Sequence, residues 1–174
     1  MTDEVWLALN AEQARTATAI FERMFPADDV PGATEIGVVR YLDGALAGAY
    51  REDAGLYRRG LAQMNAASRA LHGVPFEAAP GSAQDDLIRA LERGEIADWP
   101  APDQFTFFRK LRAHLQEGLF SDPAYGGNID KAGWRAIGHP GVWLDNSAEE
   151  NLSPLPVDKG GRIQSLADVK DELA

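Results

Sequence analysis

Three histidines, His72, His114 and His139, are the side chains of this sequence best suited to ligate a metal or move a proton near neutral pH. No two of them stand at the i, i+4 spacing that puts a ligand pair on one helical face, so no metal site is expected. His114 reads as a half-buried helix residue and His139 as a turn residue beside Pro140. Ser68, Ser82 and Ser121 lack the strand–turn–helix context of a nucleophile elbow. Neither Gly126-Gly127 nor Gly160-Gly161 belongs to a G-x-G-x-x-G run, which argues against a dinucleotide site. Cysteine is absent, and with it disulfides, thiolate zinc sites, iron–sulfur ligation and a thiol nucleophile. Carboxylates are abundant, but spacing alone singles out no acid/base pair. No catalytic, metal-binding or cofactor-binding residue is assigned to the chain.

One stretch does stand out, EGLFSDPAYGGNIDKAGWRAIGHPG, from Glu117 to Gly141. Ser121-Asp122-Pro123 favours a turn, because short polar side chains bond nearby amides and proline sets φ. Gly126, Gly127 and Asn128 all tolerate a left-handed backbone. Successive amides there can converge into a concave donor site. The same residues equally well make a tight reversal that packs Tyr125 and Trp134 on the preceding helix. Elementary physics favours that second reading.

The elements that must position this stretch are helical. Asn10-Ala-Glu-Gln13 forms a capping box, and Ala14, Ala17, Phe21, Met24 and Phe25 share one face of a first helix stopped by Pro26. Thr34 is the expected cap of a second helix carrying Val38, Val39, Leu42, Ala45, Leu46 and Ala49. A third runs from about Asp53 to His72 on Tyr57, Leu61, Met64, Ala67 and Leu71, with Gly73 as its left-handed stop. Ser82 is the expected cap of a short fourth helix ended near Gly94, and Trp99-Pro-Ala-Pro102 is a rigid connector. A fifth starts at Asp103 and carries Phe105, Phe108, Leu111 and Leu115, with Phe107 and His114 on a neighbouring stripe, ending near Gly118.

The fold class is therefore all-α: a compact bundle of about five helices, a Gly/aromatic-rich loop and an extended C-terminal tail. The expected boundaries are 1–119 for the bundle, 120–143 for a loop of the same domain, and 144–174 for a tail that wraps a partner. Ser165 to Leu173 is the expected last short helix.

A hydrophobic fraction of 45% and a charged fraction of 25% are ordinary for a globular chain of 174 residues. A formal net charge of -10 repels phosphate backbones and anionic membranes, so neither nucleic acid nor direct membrane insertion is expected. No apolar run approaches the roughly 18 residues of a membrane span. Met1 to Asn10 has no basic region, apolar core or twin arginine. The expected compartment is the cytoplasm for the sequence as written, or the periplasm if a signal is removed or carried by a partner.

The stretch 117–141 resembles the signature of the gluconate 2-dehydrogenase subunit 3 family. FERMFPADDVPGATEIGVVRYLD (21–43), YRRGLAQMNAASRALHGVPF (57–76) and FFRKLRAHLQEG (107–118) resemble its earlier helices in the right order, so the likeness covers roughly residues 10 to 143. The resemblance implies a noncatalytic small subunit, without a cofactor of its own, that binds and stabilises a large FAD-dependent dehydrogenase of the glucose–methanol–choline class. That partner would hold the flavin and the base, taking a hydride from a sugar, polyol or glycoside. A cytochrome c would often complete the electron path. Assistance in export, implied for the family, is not matched here by a twin-arginine signal, and the lack of cysteine makes association noncovalent.

On this resemblance, Phe120, Asp122, Pro123, Tyr125, Gly126, Gly127, Asn128, Trp134 and Trp143 form the expected partner interface. Large aromatics are favoured anchors, and glycines let backbones approach closely. Tyr125 and Asn128 are the candidates for the partner's substrate entrance, with Asn128 facing a sugar hydroxyl. Two alternatives stay open: a maturation chaperone that leaves its flavoprotein client, and a stand-alone hydrolase using His114 or His139.

Overall fold

The computed structural model describes residues 5–100, 103–155 and 160–170. Helix α1 (Ala11–Met24) begins at the Asn10–Gln13 capping box and buries Ala14, Ala17, Ile20 and Phe21. Helices α2 (Ala33–Ile36) and α3 (Val38–Ala47) follow. Helix α4 (Ala54–His72) ends at Gly73 with φ 75°. Phe76 is wholly buried in the next turn. Helices α5 (Gly81–Arg93) and α6 (Gln104–Phe120) complete the bundle, α6 starting where the Asp103 carboxylate accepts from Thr106 N–H. Helix α6 packs against α3, α4 and α5, while α1 packs against α3, α4 and α5. Between them lies one core that includes Ile20, Phe21, Leu42, Tyr57, Leu61, Met64, Leu91, Phe107 and Leu111. Burying each such side chain is worth about 1.5–3 kcal/mol. Among the described residues the extended pairing outside helices is an isolated bridge, Gly141 to Gln164.

The all-α bundle follows its hydrophobic period, with corrections where tertiary contact overrides local pattern. The expected second helix is two, broken at Gly37 with φ 84°. A Cβ there would meet Ile129 Cδ1 at 2.6 Å, so the break serves the crossing of a distant loop. Thr34 lies inside α2 and not at its cap; its N–H and hydroxyl both donate to Glu22. Ser82 is likewise inside α5, whose N-cap is Pro80. Leu71 and Phe105 were expected on core faces but are 68% and 58% exposed. The buried face of α6 is instead phased on Phe107, Leu111, His114 and Leu115. Helix α6 continues past Gly118 to Phe120, so the expected boundary at 119/120 falls inside its last turn.

The segment 120–143 is not an irregular loop throughout. It holds the 3-10 turns Pro123–Tyr125 and Ile129–Lys131 and helix α7 (Ala132–Ala136). The tail holds α8 (Ala148–Leu152), opened by a Ser147–Glu150 capping box, and α9 (Leu166–Lys170). Its return stretch 163–169 packs on this chain's own loop: Leu166 N–H donates to Asp122, and Lys131 donates to Ile163 O and Asp168. The tail is therefore extended only in part: the expected last short helix is present as α9, and α8 is an element the sequence reading did not include. Ala101 and Pro102 of the connector, Pro156 in the tail and Leu173 at the expected end of the last helix lie outside the described residues.

Candidate interaction surface

One side chain holds down the segment after α6. Asn128 adopts φ 47° and ψ 41°, a left-handed conformation that asparagine tolerates. Its N–H donates to Gly118 O at 2.8 Å, and its Nδ2 donates to Ser121 O at 2.8 Å. Its Oδ1 accepts from Gly133 N–H at 2.9 Å and from Trp134 N–H at 3.4 Å. The last turn of α6, the loop and the first turn of α7 are thus tied through one amide.

Two glycines make this approach sterically possible. A Cβ on Gly127 would meet Gly118 O at 2.3 Å, and one on Gly133 would meet Leu119 O at 1.9 Å. No side chain can occupy either position without moving the backbone of α6. Trp134 is buried, its Nε1 donating to Phe120 O at 2.6 Å and its ring meeting His139 edge-on at 5.1 Å. Asp122 is buried too; its carboxylate accepts from Ala124 N–H and from Leu166 N–H.

The expected interface residues therefore divide. Asp122, Gly127, Asn128 and Trp134 are buried within the chain. Phe120, Pro123 and Trp143 are partly buried, Phe120 against the core and Trp143 donating to Pro140 O. Tyr125, 61% exposed, and Gly126 are at the surface. Asn128 is 0% exposed and bonded internally, so the expectation that it faces a sugar hydroxyl is corrected: its place is structural. Trp134 packs on α6 as a tight reversal requires, whereas Tyr125 does not bury.

Beside Tyr125 lies an open groove of about 700 Å³ between α3, the last turns of α6 and the turn Ser121–Gly126. Its lining combines the small residues Gly44, Ala45, Ala49 and Ala124 with Tyr41, Tyr50 and Tyr125. Leu7, 73% exposed, stands at the rim. Its charged lining groups are Glu117 and Arg40.

The sequence model of gluconate 2-dehydrogenase subunit 3 matches residues 11–141 of this chain. The chain belongs to the gluconate 2-dehydrogenase subunit 3 family. No curated protein and no solved structure matches it. As a member of the gluconate 2-dehydrogenase subunit 3 family, it is an accessory subunit of a dehydrogenase. The matched stretch runs from the first residue of α1 to the bridge residue Gly141, so it contains the bundle, the loop and most of the groove, and leaves α8 and α9 outside. Among the described residues no helix is long and apolar enough to cross a membrane.

In this subunit 3 chain a polar cluster adjoins the groove; the sequence reading weighed His114 as a candidate but gave no role to Glu117, Tyr41 or Tyr50. Glu117 accepts a short hydrogen bond from the Tyr41 hydroxyl and a longer one, 3.4 Å, from Tyr50. Burial and Glu117 together raise the Tyr41 phenol far above its ordinary range, and Glu117 and burial raise Tyr50. Both stay protonated donors at any physiological pH. Beneath them the Tyr57 hydroxyl meets His114 Nδ1 at 2.6 Å, and His114 is 1% exposed. Burial lowers the His114 pKa, which keeps the ring neutral. Spacing offered one signal, His114 and Glu117 at i, i+3 on one helix; the tyrosines come from two other helices and a turn. The cluster holds a carboxylate and donors but no activated nucleophile, and His114 is sealed against Tyr57. Among the described residues no three side chains are placed to hold a metal ion.

Proposed function

We propose that this chain is the noncatalytic small subunit of a complex whose large subunit is an FAD-dependent oxidoreductase acting on a sugar, polyol or glycoside. It binds and stabilises that subunit through the face carrying the groove and Tyr125. The observation that carries this reading is an exposed tyrosine beside a mostly carbon-lined cleft, on a chain whose buried histidine among the described residues is committed to Tyr57. The sequence resemblance supports the FAD partner, and the family supports an accessory role. Flavin and catalytic base belong to the large subunit, and electrons leave through it, in some assemblies to a cytochrome c. The small subunit contributes binding area and order, which is how a partner that binds only the folded state raises stability.

Purification of the tagged chain from its host tests this. The expected result is a co-purifying large subunit with flavin absorption bands, at a fixed ratio to the small one. Tyr125→Ala, which removes an exposed ring, should cut co-purification by about tenfold while leaving the isolated chain's melting temperature unchanged. A purified chain that oxidises or hydrolyses a substrate alone would refute the noncatalytic role. A flavoprotein that is active and lacks the chain at steady state would point to a chaperone that departs.

A further inference from the structure

We infer that the exposed face of α6 carrying Arg109 and Arg112 docks an acidic segment of the large subunit, one that presents carboxylates to these two guanidinium groups. This rests on the accessory role just proposed and names the chemistry of the partner surface.

Phe105, Arg109, Arg112 and Gln116 stand at i, i+4, i+7 and i+11 of α6, so they share one face about 16 Å long, and all four are exposed. An open depression of about 430 Å³ on this face is lined by Thr106, Arg109, Lys110, Arg112, Ala113 and Gln116. Its lining holds three cations and no carboxylate, in a chain whose formal net charge is -10. The carboxylates on and beside the helix are engaged elsewhere. Asp103 accepts from the N–H and hydroxyl of Thr106, Asp53 accepts from Lys110 Nζ at 2.6 Å, and Glu117 accepts from Tyr41 and Tyr50. Among the described residues neither Arg109 nor Arg112 has a hydrogen bond or an ion pair.

Charge selects the occupant. Arginine is enriched at protein interfaces, and its planar fork binds a carboxylate through two parallel hydrogen bonds. Side chains at i, i+3 leave a helix about 5–6 Å apart, so Arg109 and Arg112 together accept neighbouring carboxylates of one segment. Phe105, 58% exposed, adds an apolar anchor at one end of the face. A basic segment would be repelled here, and a nucleic acid or an anionic membrane would be repelled by the chain as a whole. Because the rest of the surface is acidic, a local basic face also fixes the orientation in which an acidic segment can approach. The face is continuous with the groove: Lys110 Nζ lies 5.8 Å from the centre of the Tyr50 ring, and Tyr50 lines the groove with Tyr125.

The test is competition inside the assembled complex. Wild type and the double variant Arg109→Glu/Arg112→Glu, carrying different tags, are co-expressed with the large subunit, and their ratio in the purified flavin-containing complex is measured. The variant should be depleted at least about tenfold in about 50 mM salt and less in about 0.5 M salt. The melting temperature of the isolated variant should not change, because both side chains are exposed. Arg58→Glu/Arg69→Glu changes the net charge equally on a different face, where both arginines line another open pocket, and should be incorporated like wild type. Arg112→Lys keeps the charge and supplies an amine; a carbodiimide should then join that amine to an aspartate or glutamate of the large subunit, identified by mass spectrometry. Equal incorporation of Arg109→Glu/Arg112→Glu overturns the assignment, as does equal depletion of the control pair, which would report net charge alone. A cross-link to a second copy of this chain instead of the large subunit overturns it too. None of these results touches the accessory role, which fails only if the wild-type chain itself brings down no flavoprotein.

Discussion

At the scale of single residues, the chain spends its polar side chains on its own backbone. Asn128 is the case with most at stake, because one amide serves Ser121 O, Gly133 N–H and Trp134 N–H from a left-handed position. Asn128→Ala should destabilise the chain by on the order of 3 kcal/mol, since buried backbone groups lose partners and alanine resists positive φ. Urea titration of the isolated chain measures this; a loss under about 0.5 kcal/mol would contradict the structural assignment. Asp43 does comparable work at the other end, its buried carboxylate accepting from the N–H groups of Leu7, Ala8 and Leu9. His114 carries a pH consequence. Burial depresses its folded-state pKa below the ordinary value of about 6.5. Above that value both folded and unfolded states hold a neutral ring. As pH falls below it the unfolded chain takes up a proton that the folded chain refuses. Stability is therefore lost on acidification, by up to about 1.4 kcal/mol per pH unit until the folded pKa is reached. Thermal melts of wild type and His114→Gln between pH 7 and 5 should show a steeper acid decline in wild type; parallel curves would count against it.

At the scale of elements, glycines report which helix faces touch and which do not. Gly60 lets α4 lie against the Phe107 ring of α6, and Gly133 lets α7 lie on the Leu119 carbonyl. Gly60→Ala should cost about 1–3 kcal/mol through overpacking, because an aromatic ring in a full core has nowhere to move. Gly44→Ala should stabilise the isolated chain by about 0.5–1 kcal/mol, because it gains helix propensity without a clash. The opposite signs of two chemically identical substitutions, read from guanidinium melts, separate a glycine required by internal packing from one that is not. Two identical signs would show that the assigned faces of α3 and α4 are wrong.

At the scale of the whole molecule, the return of the tail to the loop is the largest departure from the expected picture. Val142 N–H donates to Gln164 O, Leu166 N–H caps the Asp122 carboxylate, and Lys131 reaches Ile163 O and Asp168. Hydrogen bonding to Lys131 and Ser165 holds the Asp168 carboxyl well below the usual carboxylate range. Truncation after residue 143 removes all of these contacts. Amide exchange at residues 122–131 should then quicken by about tenfold, while the central turns of α4 and α6 keep their protection, as expected of a locally opened unit. Unchanged exchange in the loop would mean that Asn128 and the glycines suffice without the tail.

The parts legible from the residue string are those written in local chemistry. The Asn10–Gln13 capping box, the Gly73 stop, the start of a helix at about Asp103 and the helical period of the core-facing stripes each act within about one turn of chain, so neighbours in sequence decide them. The family was legible for the same reason, because its signature is a run of turn-forming and close-approach residues between Glu117 and Gly141. Tertiary contact alone decided the break at Gly37, the continuation of α6 to Phe120, the burial of Asn128 and the cluster of Tyr41, Tyr50, Tyr57, His114 and Glu117. Each depends on atoms brought together from distant parts of the chain. No periodicity or propensity encodes which backbone will lie 2 Å from a missing Cβ, or which hydroxyl will face a buried ring.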